Sequence, residues 1–327
     1  MKVFVSTSSD EGGIYRFRIN DEKLILEEVT KLPWVKYTRI YDGRLYALIK
    51  HYKGNESESG LVSYRLGENG ELSDKSEIIP TGAEGACHLD INENGIYVAH
   101  YYSGSVSLIR DGRLVKNVKH EGHSVDIFRQ THPYAHFVKA MPDGNLLVCD
   151  LGCDEVVVYD PELVRLGTAK TPAGVGPRHL VLSPNGKTVW VLSEMGSTLT
   201  RMEYADGVLT AYETLGLYPD RMRELPHTKS AAIRVSNDGE TIYTSNRGFD
   251  VISIIDVSSG SARLRGEVSS EGGSPRDFNI SPDGKYLVCA NEASGASLFD
   301  FDRKCPRYLS SVALELPLAV EFFSGSK

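Results

Sequence analysis

No apolar run in this 327-residue chain reaches the roughly 20 residues that a membrane-spanning helix needs, so a helical anchor is not expected. Pro/Ser-rich tracts, long charge blocks and low-complexity runs are also missing, so nothing divides the sequence into parts. A single domain over residues 1–327 is the expectation. Cysteine is scarce, at five residues, and an odd number in a chain this long does not make a disulfide framework. Cys87, Cys149 and Cys289 sit inside strand-like runs, where a thiol behaves as a small hydrophobe, and Cys153 also reads as a packing residue. Together with Cys305, they suit a reduced, cytoplasmic setting. The opening MKVFVSTSSD is too short in its apolar part for a signal peptide and alternates like a strand. Positive charge is in deficit. A formal net charge of −8 argues against nucleic acid or an anionic membrane as partner, so an anionic small substrate would need a local cluster of Arg, Lys or His. There is no Gly-x-Ser-x-Gly elbow and no repeating Trp-Asp signature. The run His120, His123, His132, His136 has neither a helical His-Glu pattern nor a cysteine framework, so no metal site is expected.

What is present is a repeated hairpin. Gly176–Ser197 reads GPRHLVLSPNGKTVWVLSEMGS. Leu180–Leu182 and Val189–Leu192 are short β-branched, aromatic or aliphatic runs, with Pro184-Asn185-Gly186 as the turn between them. Matching turns stand at Gly43, Gly95, Gly144, Gly239 and Gly284, with successive separations between 42 and 53 residues. That period is the length of a four-stranded propeller blade. Six turns give six blades. The seventh is expected to combine Lys2–Ser6 and Ile14–Arg18 with Leu318–Phe323, which closes the ring and removes two open sheet edges. The expectation is an all-β, seven-bladed β-propeller whose N- and C-terminal strands share one blade, with six or eight blades as alternatives.

In a hairpin, residues equally spaced before and after the turn meet at the open end. Eight before each turn glycine stand Val35, Cys87, His136, Arg178, Ala231 and Arg276. Eight after stand His51, Ser103 (with Tyr102 the nearer equivalent), Gly152, Glu194, Arg247 and Glu292. His88, His100, Tyr101, His132, Asp150 and Asn246 lie near the same ends. Propeller hairpins share one polarity, so these ends should converge on a single mouth, where a ligand site belongs. Arg178 with Glu194, and Arg276 with Glu292, also read as plain cross-strand ion pairs, and His88, His136 and His179 as structural histidines.

These residues resemble the seven-bladed propeller lactonases, a group that includes propeller-type 6-phosphogluconolactonases and 3-carboxy-cis,cis-muconate lactonizing enzymes. The similar stretches are Glu84–Asp90 (EGACHLD), Arg129–Phe137 (RQTHPYAHF), Asp150–Asp154 (DLGCD), Gly176–His179 (GPRH), Ser193-Glu194, Ser245–Gly248 (SNRG), Ser274–Phe278 (SPRDF) and the Ser281–Gly284 turn (SPDG). His100-Tyr101-Tyr102 departs from the Ala-Asn-Tyr more usual in relatives, and the first repeat matches weakly. Arg276, His88, His132 and Tyr102 at the open ends are further candidate substrate contacts, and the resemblance implies an active site of His136, Arg178, Glu194 and Arg247. It implies hydrolysis of a small anionic sugar lactone, foremost 6-phosphoglucono-δ-lactone in the pentose phosphate pathway, without a cofactor. The alternatives are carboxymuconate-type lactonization and a non-enzymatic binding platform. Glu194, with His136, would be the general base, and Arg178 and Arg247 would hold phosphate and oxyanion. A monomer or weak homodimer is expected.

Overall fold

The computed structural model describes residues 1–218, 228–301 and 305–325. Among the described residues there are 29 strands, numbered β1 to β29 in chain order, and no helix. They form seven antiparallel sheets. The seven innermost strands are β4 (Val35–Tyr41), β9 (Ala86–Asn92), β13 (Ala135–Ala140), β17 (Pro177–Leu182), β21 (Lys229–Val235), β25 (Pro275–Ile280) and β29 (Pro317–Phe323). Each touches the next in that order, and β29 touches β4, so the ring closes on itself as a seven-bladed propeller.

Closure works as the sequence suggests. β1 (Lys2–Thr7) lies between β2 (Gly13–Asn20) and β29, with Phe4 opposite both Arg16 and Glu321. Alternating β-branched and aromatic residues give each sheet two apolar faces, and neighbouring sheets pack face to face. Phe137, Leu147 and Val156 of one blade thus pack on Leu180, Val191 and Met202 of the next. Trp190 and Leu192 in turn meet Ile233, Ile242 and Ile255. Burial falls from the axis outward: β14 (Leu146–Asp150) is fully buried, whereas β12 (Arg113–Lys119) is almost wholly exposed. At the turns the Pro-x-Gly chemistry acts as expected. Gly186 has φ of 70° and donates its N–H to the Ser183 carbonyl at 2.8 Å.

Candidate active site

The site grows from one irregularity repeated in every blade. Near its start, each innermost strand carries an extra residue opposite its partner, a β-bulge that turns a side chain toward the axis. In β17 the register steps from Pro177–Ser193 to His179–Leu192, leaving Arg178 as the extra residue. The same step leaves Lys36 in β4, Cys87 in β9, His136 in β13, Arg276 in β25 and Leu318 in β29. In β21 it covers Ala231 and Ala232. Six of these residues, all but the alanines, line one small space on the axis.

Just above lies a cavity of about 270 Å³, walled partly by residues at or just past the end of the second strand in four of the hairpins: Lys50, Tyr101, Glu194 and Arg247. Backbone bonds hold three of them in place. The N–H groups of Lys50, Tyr101 and Glu194 donate to the carbonyls of Trp34, Gly85 and Gly176 at 3.1, 2.7 and 2.7 Å. Gly176 needs its φ of 65° for this turn, and a Cβ there would meet Leu151 Cγ at 2.9 Å.

Glu194 is the centre of charge. Its Oε2 accepts from Arg178 Nε at 3.0 Å and Arg247 Nη2 at 2.8 Å, and its Oε1 accepts from Arg129 Nη2 at 2.7 Å. Burial works to raise its pKa, but Arg247, Arg178 and Arg129 outweigh it and hold the carboxyl well below the usual range. Arg178 is pushed down to about 9 by burial and by the neighbouring Arg247, and so stays protonated at neutral pH. Its Nη1 also donates to the Ala231 carbonyl at 2.5 Å. A carboxylate stabilised by three guanidiniums is a weak base, so the geometry makes Glu194 the anchor of those cations.

His136 has the opposite character. It lines the same cavity, is 5% exposed, and its Nδ1 has no hydrogen-bond partner among the described residues. Burial, then Arg178, drives its pKa well below 6.5, so the imidazole is neutral at pH 7, and the partnerless Nδ1 is closed off from solvent.

Of the other expected contacts, Arg276 and Tyr102 line the cavity. His88 does not. It lies one position further along its strand than the bulge, packed between Tyr37 and Phe137 at ring-centroid distances of 4.3 and 3.9 Å. With His179 these rings plug the channel, and His88 faces a second cavity of about 300 Å³ at the opposite end. His132 also lies outside the mouth. It is exposed, stacks on Tyr134 at 4.1 Å and bonds the Pro133 carbonyl. Alternation along β9 turns His88 away from the upper mouth, and the loop before β13 carries His132 outside it. His120 is buried against Asp150, at 2.6 Å, and Asp150 also accepts from the N–H groups of Tyr134, Gly152 and Cys153. That carboxylate organises a loop. Among the described residues no group of His, Cys, Asp and Glu is placed to hold a metal ion.

Four cavity cations were not singled out by sequence: Lys36, Lys50, Arg129 and Lys229. Arg129 comes from a connecting loop, where no hairpin rule applies. Asp126 Oδ1 accepts its N–H at 2.8 Å, and Gln130 ties the loop to the Leu151 carbonyl at 2.8 Å. Its guanidinium also reaches the Tyr101 hydroxyl at 3.3 Å.

A seven-membered ring of blades, six of four strands and one of five, with Arg, Glu and His at one mouth defines a class, and comparison agrees. The family model described as lactonase, 7-bladed beta-propeller, matches residues 2–307. The chain belongs to that family and is a lactonase. It is 30% identical to the 6-phosphogluconolactonase of Bacillus subtilis, covering 97% of this chain and 96% of that one. Among solved structures, a putative 6-phosphogluconolactonase from Bacteroides fragilis superposes with TM-score 0.86 at 26% identity, over 99% and 98% of the two chains. A periplasmic gluconolactonase from Pseudomonas aeruginosa superposes with TM-score 0.85 at 25% identity, over 99% of each.

Proposed function

We propose that this lactonase hydrolyses 6-phosphoglucono-δ-lactone to 6-phosphogluconate in the cytoplasm. One observation carries the reading: a neutral imidazole, His136, shares a small cationic cavity with a carboxylate that fixes three guanidiniums. The name borne by the Bacillus subtilis relative supports the substrate.

In the proposed reaction His136 accepts a proton from water as the water oxygen bonds to the lactone carbonyl carbon. The carbonyl electrons move onto oxygen, and the exposed edges of Arg129 and Arg247 face that developing charge. When the carbonyl re-forms, the ring C–O bond breaks, and the imidazolium returns its proton to the departing ring oxygen. The product carries one new carboxyl and one new hydroxyl, and the carboxyl ionises. General-base help of this kind is worth about 10²–10⁴-fold, which suffices for a reactive δ-lactone.

Acid release from freshly prepared 6-phosphoglucono-δ-lactone, corrected for spontaneous hydrolysis, tests the reading. Catalysis by the native chain and a fall in kcat of about 10²–10⁴-fold in His136→Asn are expected. No acceleration over the spontaneous rate would overturn the substrate, and an unchanged kcat in the variant would remove His136 as base.

A further inference from the structure

Apart from Lys229, which lies beside Glu194 and Arg129, the cations at this end of the channel fall into two groups. Arg129, Arg178 and Arg247 are bound to Glu194. On the far wall the balance differs. Lys36 and Lys50 make no ion pair and no side-chain hydrogen bond among the described residues, and Arg276 reaches Glu292 at only 3.4 Å.

The two lysines share a platform. Their ammonium groups stand 5.8 and 4.9 Å from the centroid of the Trp34 ring. Trp34 has φ of 60°, a left-handed backbone that bulky residues rarely adopt, at the position where the β17 blade has Gly176. Its indole N–H is fixed by Asp10 Oδ1 at 3.0 Å. An aromatic face attracts cations and so offsets some of their mutual repulsion. It does not neutralise them. Burial, then Arg276 and Lys50, lowers the Lys36 pKa to about 8, and Glu292 offsets only part of that.

Position gives this group its meaning. Lys36 and Lys50 belong to the β4 blade and Glu194 to the β17 blade, three blades away on a ring of seven. A ligand with its carbonyl beside His136 and Glu194 therefore extends its other end toward the lysines. In a 6-phosphorylated δ-lactone the carbonyl carbon and the carbon bearing the phosphate arm flank the ring oxygen, and their two substituents point away from each other.

We propose that Lys36 and Lys50, paired over Trp34, together with Arg276, form the subsite for the substrate's phosphate monoester and set a preference for phosphorylated over unphosphorylated lactones. The inference rests on the hydrolytic reading above and reassigns the phosphate from Arg178 and Arg247, which Glu194 already occupies. With the charge of Glu292 set against Arg276, this group balances a dianion, whereas a neutral sugar lactone would leave the half-buried Lys36 and its neighbour Lys50 without a counter-charge.

The test compares kcat/KM for 6-phosphoglucono-δ-lactone and glucono-δ-lactone in the native chain, Lys36→Met and Lys50→Met, with thermal unfolding as the folding control. Each variant is expected to lose about 10- to 100-fold on the phosphorylated lactone, mainly through KM, and far less on the other. Equal losses on both lactones, or no loss on either, would overturn the subsite. If the native chain turns over neither lactone, the substrate reading fails separately. Calorimetric titration with inorganic phosphate then decides the subsite: binding weakened at least tenfold in Lys36→Met supports it, and unchanged or undetectable binding to the native chain overturns it.

Discussion

The two ends of the channel are built by the same seven strands, and they use charge differently. At the lower end Arg39, Lys139 and Arg234 surround a cavity of about 300 Å³, close to the 270 Å³ of the upper one. There Lys139 meets Asp90 at 2.8 Å, Arg39 meets Asp90 at 3.4 Å and Glu321 at 3.8 Å, and Arg234 meets Asp277 at 2.8 Å. Every cation has its carboxylate. At the upper end one carboxylate serves three guanidiniums, Lys36, Lys50 and Lys229 have no ion pair among the described residues, and an imidazole nitrogen has no partner. Volume does not separate the two ends. Unfinished pairing does, because only the upper end has interactions left for a ligand to make.

The sharpest way to break this contrast is to remove the upper carboxylate. Glu194→Gln leaves three guanidiniums facing one another in a buried space. Urea unfolding should register a loss of about 3–5 kcal/mol, and lactone turnover should collapse with it. The sign with pH follows. Because the folded pKa of Glu194 is depressed, its stabilisation is present above the ordinary carboxylate value of 4.5 and is lost as pH falls below it.

The lower end should respond to pH in the opposite sense. Glu321, buried and facing Arg39, Arg234, Asp277 and Asp90, is raised to about 7, chiefly by burial. The folded chain therefore binds that proton more tightly than the unfolded chain. The resulting stabilisation is full below 4.5 and is lost as pH rises through 7. Melting temperatures taken from pH 5 to 8 should fall in the native chain, and Glu321→Gln should flatten most of that decline, an effect of about 1–2 kcal/mol. A parallel decline in the variant would show that Glu321 is not its source.

The smallest change sharpens the comparison from the other side. Lys139→Met removes a paired lower cation, so it should cost about 1 kcal/mol of stability or less and leave kcat/KM for the lactone within about twofold. A large loss of turnover would mean that the lower end takes part in the chemistry.

Counting eight residues from each turn glycine found Cys87, His136, Arg178, Ala231 and Arg276, all at bulges of the innermost strands. It also found Glu194, Arg247 and Glu292 across from them. In the first hairpin it slipped. Tyr41 pairs with Arg44 there, so Asp42-Gly43 is a two-residue turn, shorter than the loop between Leu182 and Val189. The count therefore lands on Val35 and His51, each one residue from Lys36 and Lys50. A bulge, moreover, is not visible as a residue type, so the count located positions without explaining why they face the axis. His88 and His132 were close in sequence to the right ends but point elsewhere, because alternation along a strand and the direction of a loop decide access. Arg129 reached the site from a loop whose course depends on contacts of Asp126 and Gln130 with backbone groups. Six sheets were legible because each repeats the same turn chemistry, and the seventh because the strands at the two chain ends were left without partners. The sharing of Glu194 among three cations was not, since it joins three separate segments of chain.

The pairing of β1 with β29 sets a timetable for folding. Until residues 317–323 have been made, β1 presents an unsatisfied row of backbone groups to anything extended that passes, and the axis lacks both Leu318 and Glu321. The nascent chain thus carries a sticky edge through most of its synthesis, and a product cut short before Pro317 keeps it permanently. Aggregation of such truncated chains, and its relief by a separate peptide spanning β29, is what this arrangement entails.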